Sequence, residues 1–234
     1  MVEAQKKNFI SGMIKAFPLV IGYLPIAISF GVISLNAGIP LLQTVLMSLL
    51  VYAGASQFMA INMFTVGAGA LEIVMATFVL NLRHFIMSLS LMNLWDHLPK
   101  RWKSIFAFGI TDETFAIASL KTEEDAAASS KAYLIGLLVT AYGSWVSGTL
   151  IGGLLAGVIP PTISESMSIG LYGMFIGLLV PAVQRLWKTG IVAVVSMGLC
   201  TLFNQFFASG WSIILATVIG ATLGAAILKE EEAR

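Results

Sequence analysis

Cysteine is almost absent from this chain. Cys200 is the only one in 234 residues, so a disulfide framework is excluded and no CxxC metal or redox pair exists. Charge is nearly as scarce: Asp, Glu, Lys and Arg together make up 11%, where a soluble domain carries about a quarter. With so little polar surface the chain cannot stay folded in water. Its 13 basic and 12 acidic residues give a net charge of +1, which leaves no electrostatic footprint for nucleic acid. A GxxxxGK[ST] phosphate loop, an HExxH helix and a Cys/His cluster are all missing, so neither ATP nor a metal cofactor is expected. No Ser/Pro-rich linker or long charged tract divides the sequence. A single integral membrane domain over residues 1–234 is therefore expected.

Apolar residues are what the chain has in abundance: 58% hydrophobic, with a mean hydropathy of +0.91. Stretches of roughly 20 apolar residues match a hydrocarbon core of about 30 Å. They occur at residues 17–37, 41–64, 71–92, 133–158, 169–187, 191–207 and 211–228. A further one, 105–120, is short and carries Asp112 and Glu113. The fold expected is all-α, a polytopic transmembrane helical bundle of six to eight membrane segments with broken or re-entrant helices. The basic N-terminus lacks a small-x-small cleavage site and reads as a retained first helix.

Lys and Arg set the orientation. Lys6, Lys7 and Lys15 place the N-terminus in the cytoplasm, Arg185 and Lys188 mark a cytoplasmic turn, and Lys229 supports a cytoplasmic C-terminus. Eight full crossings would put Lys100, Arg101 and Lys103 outside. If 41–64 and 105–120 both fail to cross, every basic loop falls inside. A faint internal repeat points the same way: Ile-Pro, Met-Ser and Tyr recur at one offset from Ile39 and Ile159, with Tyr52 matching Tyr172. "KAF" at Lys15 and "KAY" at Lys131 precede each half. Paired halves with interrupted helices are a transporter signature.

Polar groups in apolar surroundings locate the candidate site. Unpaired backbone in hydrocarbon costs several kcal/mol, so helix breaks survive only beside protein or a wet cavity. Pro25 should kink or unwind the first span near Gly22. A second break is expected at Gly54-Ala55-Ser56 in "LVYAGASQFMA", where the small residues also suit helix packing. Gln57 is too large to be there for packing and needs partners. In "LNLRHF", Arg83 lies mid-segment, where insertion of an arginine costs roughly 2.5–3.5 kcal/mol. On a continuous helix Asn81, His84 and Ser88 share a face while Arg83 points away from Asn81. Either both faces are buried in protein or the helix breaks. Asp112 and Glu113 in "GITDETFAI" are the natural partners of Arg83. The alternatives are a purely structural ion tie, a packing role for His84 and a surface helix for 105–120.

"VYAGASQF", then "LNLRHFIMS", then "TDETFAI" resemble, in that order, the motifs of the AzlC family, the large subunits of bacterial and archaeal branched-chain amino-acid exporters. The resemblance covers essentially the whole chain. It implies a multi-pass permease of the prokaryotic cytoplasmic membrane, working with a small AzlD-type membrane subunit. The expected activity is efflux of Val, Leu, Ile and in some members Met, driven by the proton-motive force. The family's motif positions fall on Tyr52, Gly54, Ser56, Gln57, Asn81, Arg83, His84, Asp112 and Glu113. A zwitterionic substrate could place its carboxylate on Arg83 or on backbone N–H groups at the Gly54 break. Asp112 or Glu113 could take its ammonium or the coupling proton, with His84 as a further relay. Tyr52, Ser56, Gln57 and Asn81 would line the pathway. Two rivals stay open: a channel or permease for another small solute, and an intramembrane serine hydrolase using Ser56 or Ser144 with His84.

Overall fold

The computed structural model describes residues 2–92, 94–96, 98–119, 130–207 and 209–232, which form ten helices and no strand. Residues 120–129 lie outside the described set, as do the side chains of Glu165 and Lys229. The helices gather into two compact units, Met1–Gln57 with Asn81–Ser168, and Phe58–Leu80 with Ile169–Arg234. The chain is an all-α helical membrane protein. Helices beginning at Glu3, Ala70 and Lys131 are each long and apolar enough to cross a bilayer. Ile14, Phe17 and Ile21 expose more than half of their surface along the first helix, a stripe that lipid and not water must cover.

The first unit is built on two helices in backbone contact, α1 (Val2–Asn36) and α7 (Lys131–Leu154). Gly12 lies on the carbonyl of Tyr133, Gly136 on that of Phe9, Gly152 on that of Ile28 and Gly31 on that of Thr149. A methyl group at any of these positions would run into a carbonyl oxygen. Contacts advance together along both sequences, so α1 and α7 are parallel, and small residues allow them to approach this closely. The Ser130 hydroxyl caps α7, accepting from the Tyr133 amide at 3.3 Å and from Asn8 at 3.2 Å. Pro18 and Pro25 lie inside an unbroken α1, against the expected unwinding near Gly22. Proline removes one intrahelical bond, and the glycine seam on either side fixes the path of the helix across that gap.

Two interrupted segments reach the middle of α7 from opposite ends. In the first, α2 (Leu41–Leu50) starts beside Gly153. It descends until Ser48 meets Thr149 at 2.7 Å and the Leu49 carbonyl accepts from the Tyr142 hydroxyl at 2.8 Å. The chain then turns through Tyr52, which has φ 45°, and α3 (Gly54–Thr65) begins against the edge of Trp145. The break thus precedes Gly54 by two residues instead of falling on Gly54-Ala55-Ser56. Gly54 is needed because a side chain there would strike the Trp145 ring, 2.6 Å from its would-be Cβ.

The second interruption enters from the other end. α5 (Lys100–Phe108) starts level with the first turn of α7, where the Lys131 ammonium lies 3.7 Å over the Trp102 ring. It rises until Gly109 meets Leu138. After a break at 109–111, α6 (Asp112–Ser119) turns back. Its Phe115, Ile117 and Ala118 pack on a core of Ala16, Leu91, Trp95, Phe106, Tyr133 and Leu134. Leu91 and Trp95 bring the end of α4 (Ala70–Met92) to the same level. Lys6, Lys7, Lys100, Arg101, Lys103 and Lys131 therefore gather at one end of the unit. That is the arrangement required if both interrupted segments turn back without crossing.

In the second unit the later turns of α3 and the first turns of α4 form a hairpin at Gly67, φ 78°, on a small core of Met63, Ala76 and Ile214. Here α8 (Pro161–Arg185) continues, followed by α9 (Trp187–Phe203) and α10 (Ser209–Glu232). α9 and α10 pack antiparallel, Gly220 on Ser196 and Gly224 on Val192. The Glu72 carboxylate accepts from the Gly210 amide at 3.1 Å, so this acid serves the start of α10, where the helix dipole favours it. The Tyr52–Tyr172 correspondence does not extend to the backbone. Tyr52 forms a left-handed turn, whereas Tyr172 lies within the continuous α8. The second interrupted segment is α5–α6, whose break falls within the short 105–120 stretch.

Candidate functional site

The break before α6 is organised by two threonines. The Thr111 hydroxyl accepts from the Thr114 amide at 3.2 Å while the Thr114 hydroxyl accepts from the Thr111 amide at 2.8 Å. This reciprocal cap satisfies amide groups that a helix start leaves open. It also places Asp112 and Glu113 on the first turn, where the partial positive charge of the helix end favours carboxylates. The two acids take different partners. Asp112 Oδ2 lies 2.8 Å from a terminal guanidinium nitrogen of Arg83, with side chains 22% and 29% exposed. Glu113 Oε2 accepts from the Tyr23 hydroxyl of α1 at 2.5 Å, and the Tyr23 oxygen shares a 2.6 Å hydrogen bond with Thr111. Glu113 Oε1 is buried without a hydrogen-bond partner.

α4 does not break at Arg83. Both flanks of the helix are half-covered instead, Arg83 and Met87 on one line and Asn81, His84 and Ser88 on the other, while Leu82, Phe85, Ile86 and Leu89 are exposed. Arg83 thus points to Asp112. Asn81 and His84 lie within a turn of it, and Asn81 Oδ1 is buried without a partner.

The tip of the α2–α3 hairpin forms a second, drier cluster. Gln57 is 1% exposed. Its carbonyl oxygen accepts from the Trp145 indole N–H at 3.0 Å, and its amide donates to Ser48 at 3.0 Å. Ser48 continues to Thr149, which donates to the Trp145 carbonyl at 3.0 Å. Both functions of Gln57 are therefore spent on α2 and α7. Ser56 donates to the Ala53 carbonyl at 2.9 Å and closes the first turn of α3. Tyr52 is buried with its ring 4.9 Å from Tyr142 and 6.4 Å from Phe108, and its hydroxyl has no hydrogen-bond partner. Trp145 bridges the two clusters, its ring edge-on to Tyr23 at 5.6 Å.

Of the residues read from the sequence, Arg83, Asp112 and Glu113 come together, with Asn81 and His84 alongside. Tyr52, Gly54, Ser56 and Gln57 belong to the Trp145 cluster. Tyr23, Thr111, Trp145 and the Ser48–Thr149 link escaped the sequence reading. Their signal was faint: Tyr23 is one polar tip among several in α1, and threonine and serine are commonplace in membrane helices. Among the described residues no group of three His, Cys, Asp or Glu side chains could hold a metal ion.

A family model described as AzlC protein matches residues 18–159, a range that includes both clusters from Tyr23 to Thr149. The inner membrane protein YgaZ of Escherichia coli is 32% identical over 184 residues, 76% of this chain and 74% of its own. An uncharacterized membrane protein of Archaeoglobus fulgidus is 32% identical over 219 residues, covering 92% and 93%. A more distant relative, the branched-chain amino acid transport protein AzlC of Bacillus subtilis, is 23% identical over 142 residues, 61% of this chain and 55% of its own. No solved structure matches the chain.

Proposed function

This chain belongs to the AzlC family of membrane transport proteins, and from that premise we propose that it is a proton-coupled exporter of branched-chain amino acids. The observation that carries this reading is the Arg83–Asp112 ion pair at the tip of a broken helix, partly exposed, with a second acid one residue on. A free amino acid is itself an ion pair. Entering between Arg83 and Asp112, it would put its carboxylate on the guanidinium and its ammonium on the carboxylate, turning one pair into two. No charge is left bare at any stage. That matters because removing one partner from a buried pair costs about 3–5 kcal/mol. The branched side chain would meet apolar walls, which separate Val, Leu and Ile only weakly, since one methylene is worth about 1–3 kcal/mol.

Glu113 takes the coupling proton in this scheme. Asp112 is neutralised by Arg83, whereas Glu113 is held by the neutral hydroxyl of Tyr23. Binding a proton there would remove a charge without breaking an ion pair. The basic end of the first unit faces the cytoplasm, in keeping with the positive-inside rule, and a small AzlD-type subunit completes the transporter in the prokaryotic inner membrane. The hydrolase reading finds no geometry in its favour: Ser56 donates to the Ala53 carbonyl just before α3 and Ser144 to the Ala141 carbonyl within α7.

Labelled leucine flux measured in proteoliposomes, with and without the small subunit and a pH gradient, tests the proposal. Leucine accumulation against its own gradient, driven by proton flow, is the expected result. Flux indifferent to the pH gradient would favour a channel, and absence of leucine, valine and isoleucine flux would overturn the substrate class.

A further inference from the structure

Two cavities adjoin at Ile135 near the basic end of the first unit. One, of about 260 Å³, is lined by Gln5, Asn8, Ser130, Lys131, Ala132 and Ile135. The other, of about 370 Å³, runs up the outside of α5 and α7 and is walled by apolar side chains: Trp102, Ile105, Phe108, Ile135, Leu138 and Val139 among them. The two differ in chemistry. The smaller offers a lysine, two amides, a hydroxyl and the opening amides of α7, where the helix itself supplies no acceptor. The larger offers almost nothing polar beyond the rim of Tyr142.

We propose that these joined cavities form a binding slot for one anionic phospholipid, its phosphate at Lys131 and one acyl chain in the apolar groove. Charge complementarity selects this occupant. Lys6, Lys7, Lys100 and Arg101 are exposed at the same end. Of the described acids there, Asp96 is engaged by Lys103 at 3.2 Å, leaving Glu3 as the opposing charge. Basic pockets between membrane helices bind anionic headgroups for this reason. Lys131 is held over Trp102, at the junction between the polar and apolar parts. A phosphate bound there meets an ammonium already in place, and the chain below it covers Ile105 and Val139, both more than half exposed. A zwitterionic lipid would fill the groove equally but bring a compensating cation to Lys131.

The slot is independent of the transport reading, and so is its test. Brominated phosphatidylglycerol and brominated phosphatidylcholine compete in detergent micelles for the purified chain, and quenching of the fluorescence component lost in Trp102→Phe is followed. The expected result is preference for phosphatidylglycerol, falling about fivefold in Lys131→Gln, the loss of one lysine contact at a membrane surface. Lys131 is exposed, so this variant keeps its fold. Val139→Phe should reduce quenching by both lipids by obstructing the groove. Equal quenching by the two lipids, or a preference unchanged in Lys131→Gln, overturns the proposal.

Discussion

Neutralising Arg83 is the most informative perturbation. Its guanidinium lies 2.8 Å from Asp112, and the side chains are 29% and 22% exposed. At an effective dielectric of 20, two unit charges 4 Å apart attract by about 4 kcal/mol. Partial exposure lowers the useful share, to roughly 3 kcal/mol. Arg83→Gln strands a carboxylate and Asp112→Asn strands a guanidinium, so each should cost about 3 kcal/mol, in keeping with broken buried pairs. The double variant strands neither and should cost about the same as one single change, not twice as much. The coupling energy is then about 3 kcal/mol, at the upper end for contacting residues. For a chain of this size each single change should lower Tm by about 6–12 °C, read by thermal unfolding in detergent. All three variants should fail to move leucine in proteoliposomes, because the double variant is neutral where the substrate is charged. Additive single costs would refute the energetic argument. A stable double variant that transports at the normal rate would refute the functional one.

Other outcomes follow from the same geometry. Glu113→Gln should leave leucine exchange intact while abolishing its response to a pH gradient, measured as counterflow with and without the gradient; an unchanged response would move the proton elsewhere. Gln57→Leu leaves the Trp145 indole N–H without its acceptor, while Ser48 keeps its bond to Thr149. It should destabilise by about 1–3 kcal/mol, the cost of one orphaned buried group, seen in the same thermal assay. Gly152→Val would drive a side chain into the Ile28 carbonyl and should prevent accumulation of folded protein, checked by size-exclusion profile. In a Cys200→Ser background, cysteines at Lys7 and Arg101 should react with an impermeant maleimide from one and the same membrane side, and one at Gly38 from the other. Labelling of positions 7 and 101 from opposite sides would rule out the turned-back α2–α3 hairpin.

What the sequence displayed and what it concealed divide along physical lines. Helical class followed from hydropathy, since lipid leaves backbone groups no other partner. Arg83 declared a need for partners because its cost in hydrocarbon is high, and Asp112 and Glu113 were the natural ones; that Asp112 takes the guanidinium shows only in the fold. The break near Gly54 was visible in its small residues. Its true position was not, because the left-handed turn is carried by Tyr52, a residue type that rarely adopts it. The role of Tyr23 depended on a contact 90 positions away, and nothing local marks a tyrosine that will meet a glutamate. Of the kink or unwinding expected at Pro25, the unwinding does not occur: α1 stays continuous, held along its seam with α7. Gln57 was correctly singled out as needing partners, and only the folded chain reveals that Trp145 and Ser48 provide them.

The seam between α1 and α7 has a mechanical consequence. Helices that slide during a conformational cycle do so on layers of side chains that can repack. Where carbonyl oxygens rest in glycine notches there is no such layer, and the joint is effectively welded. Within the first unit that leaves the two hairpin tips as the parts free to shift, short struts that meet the middle of a fixed post.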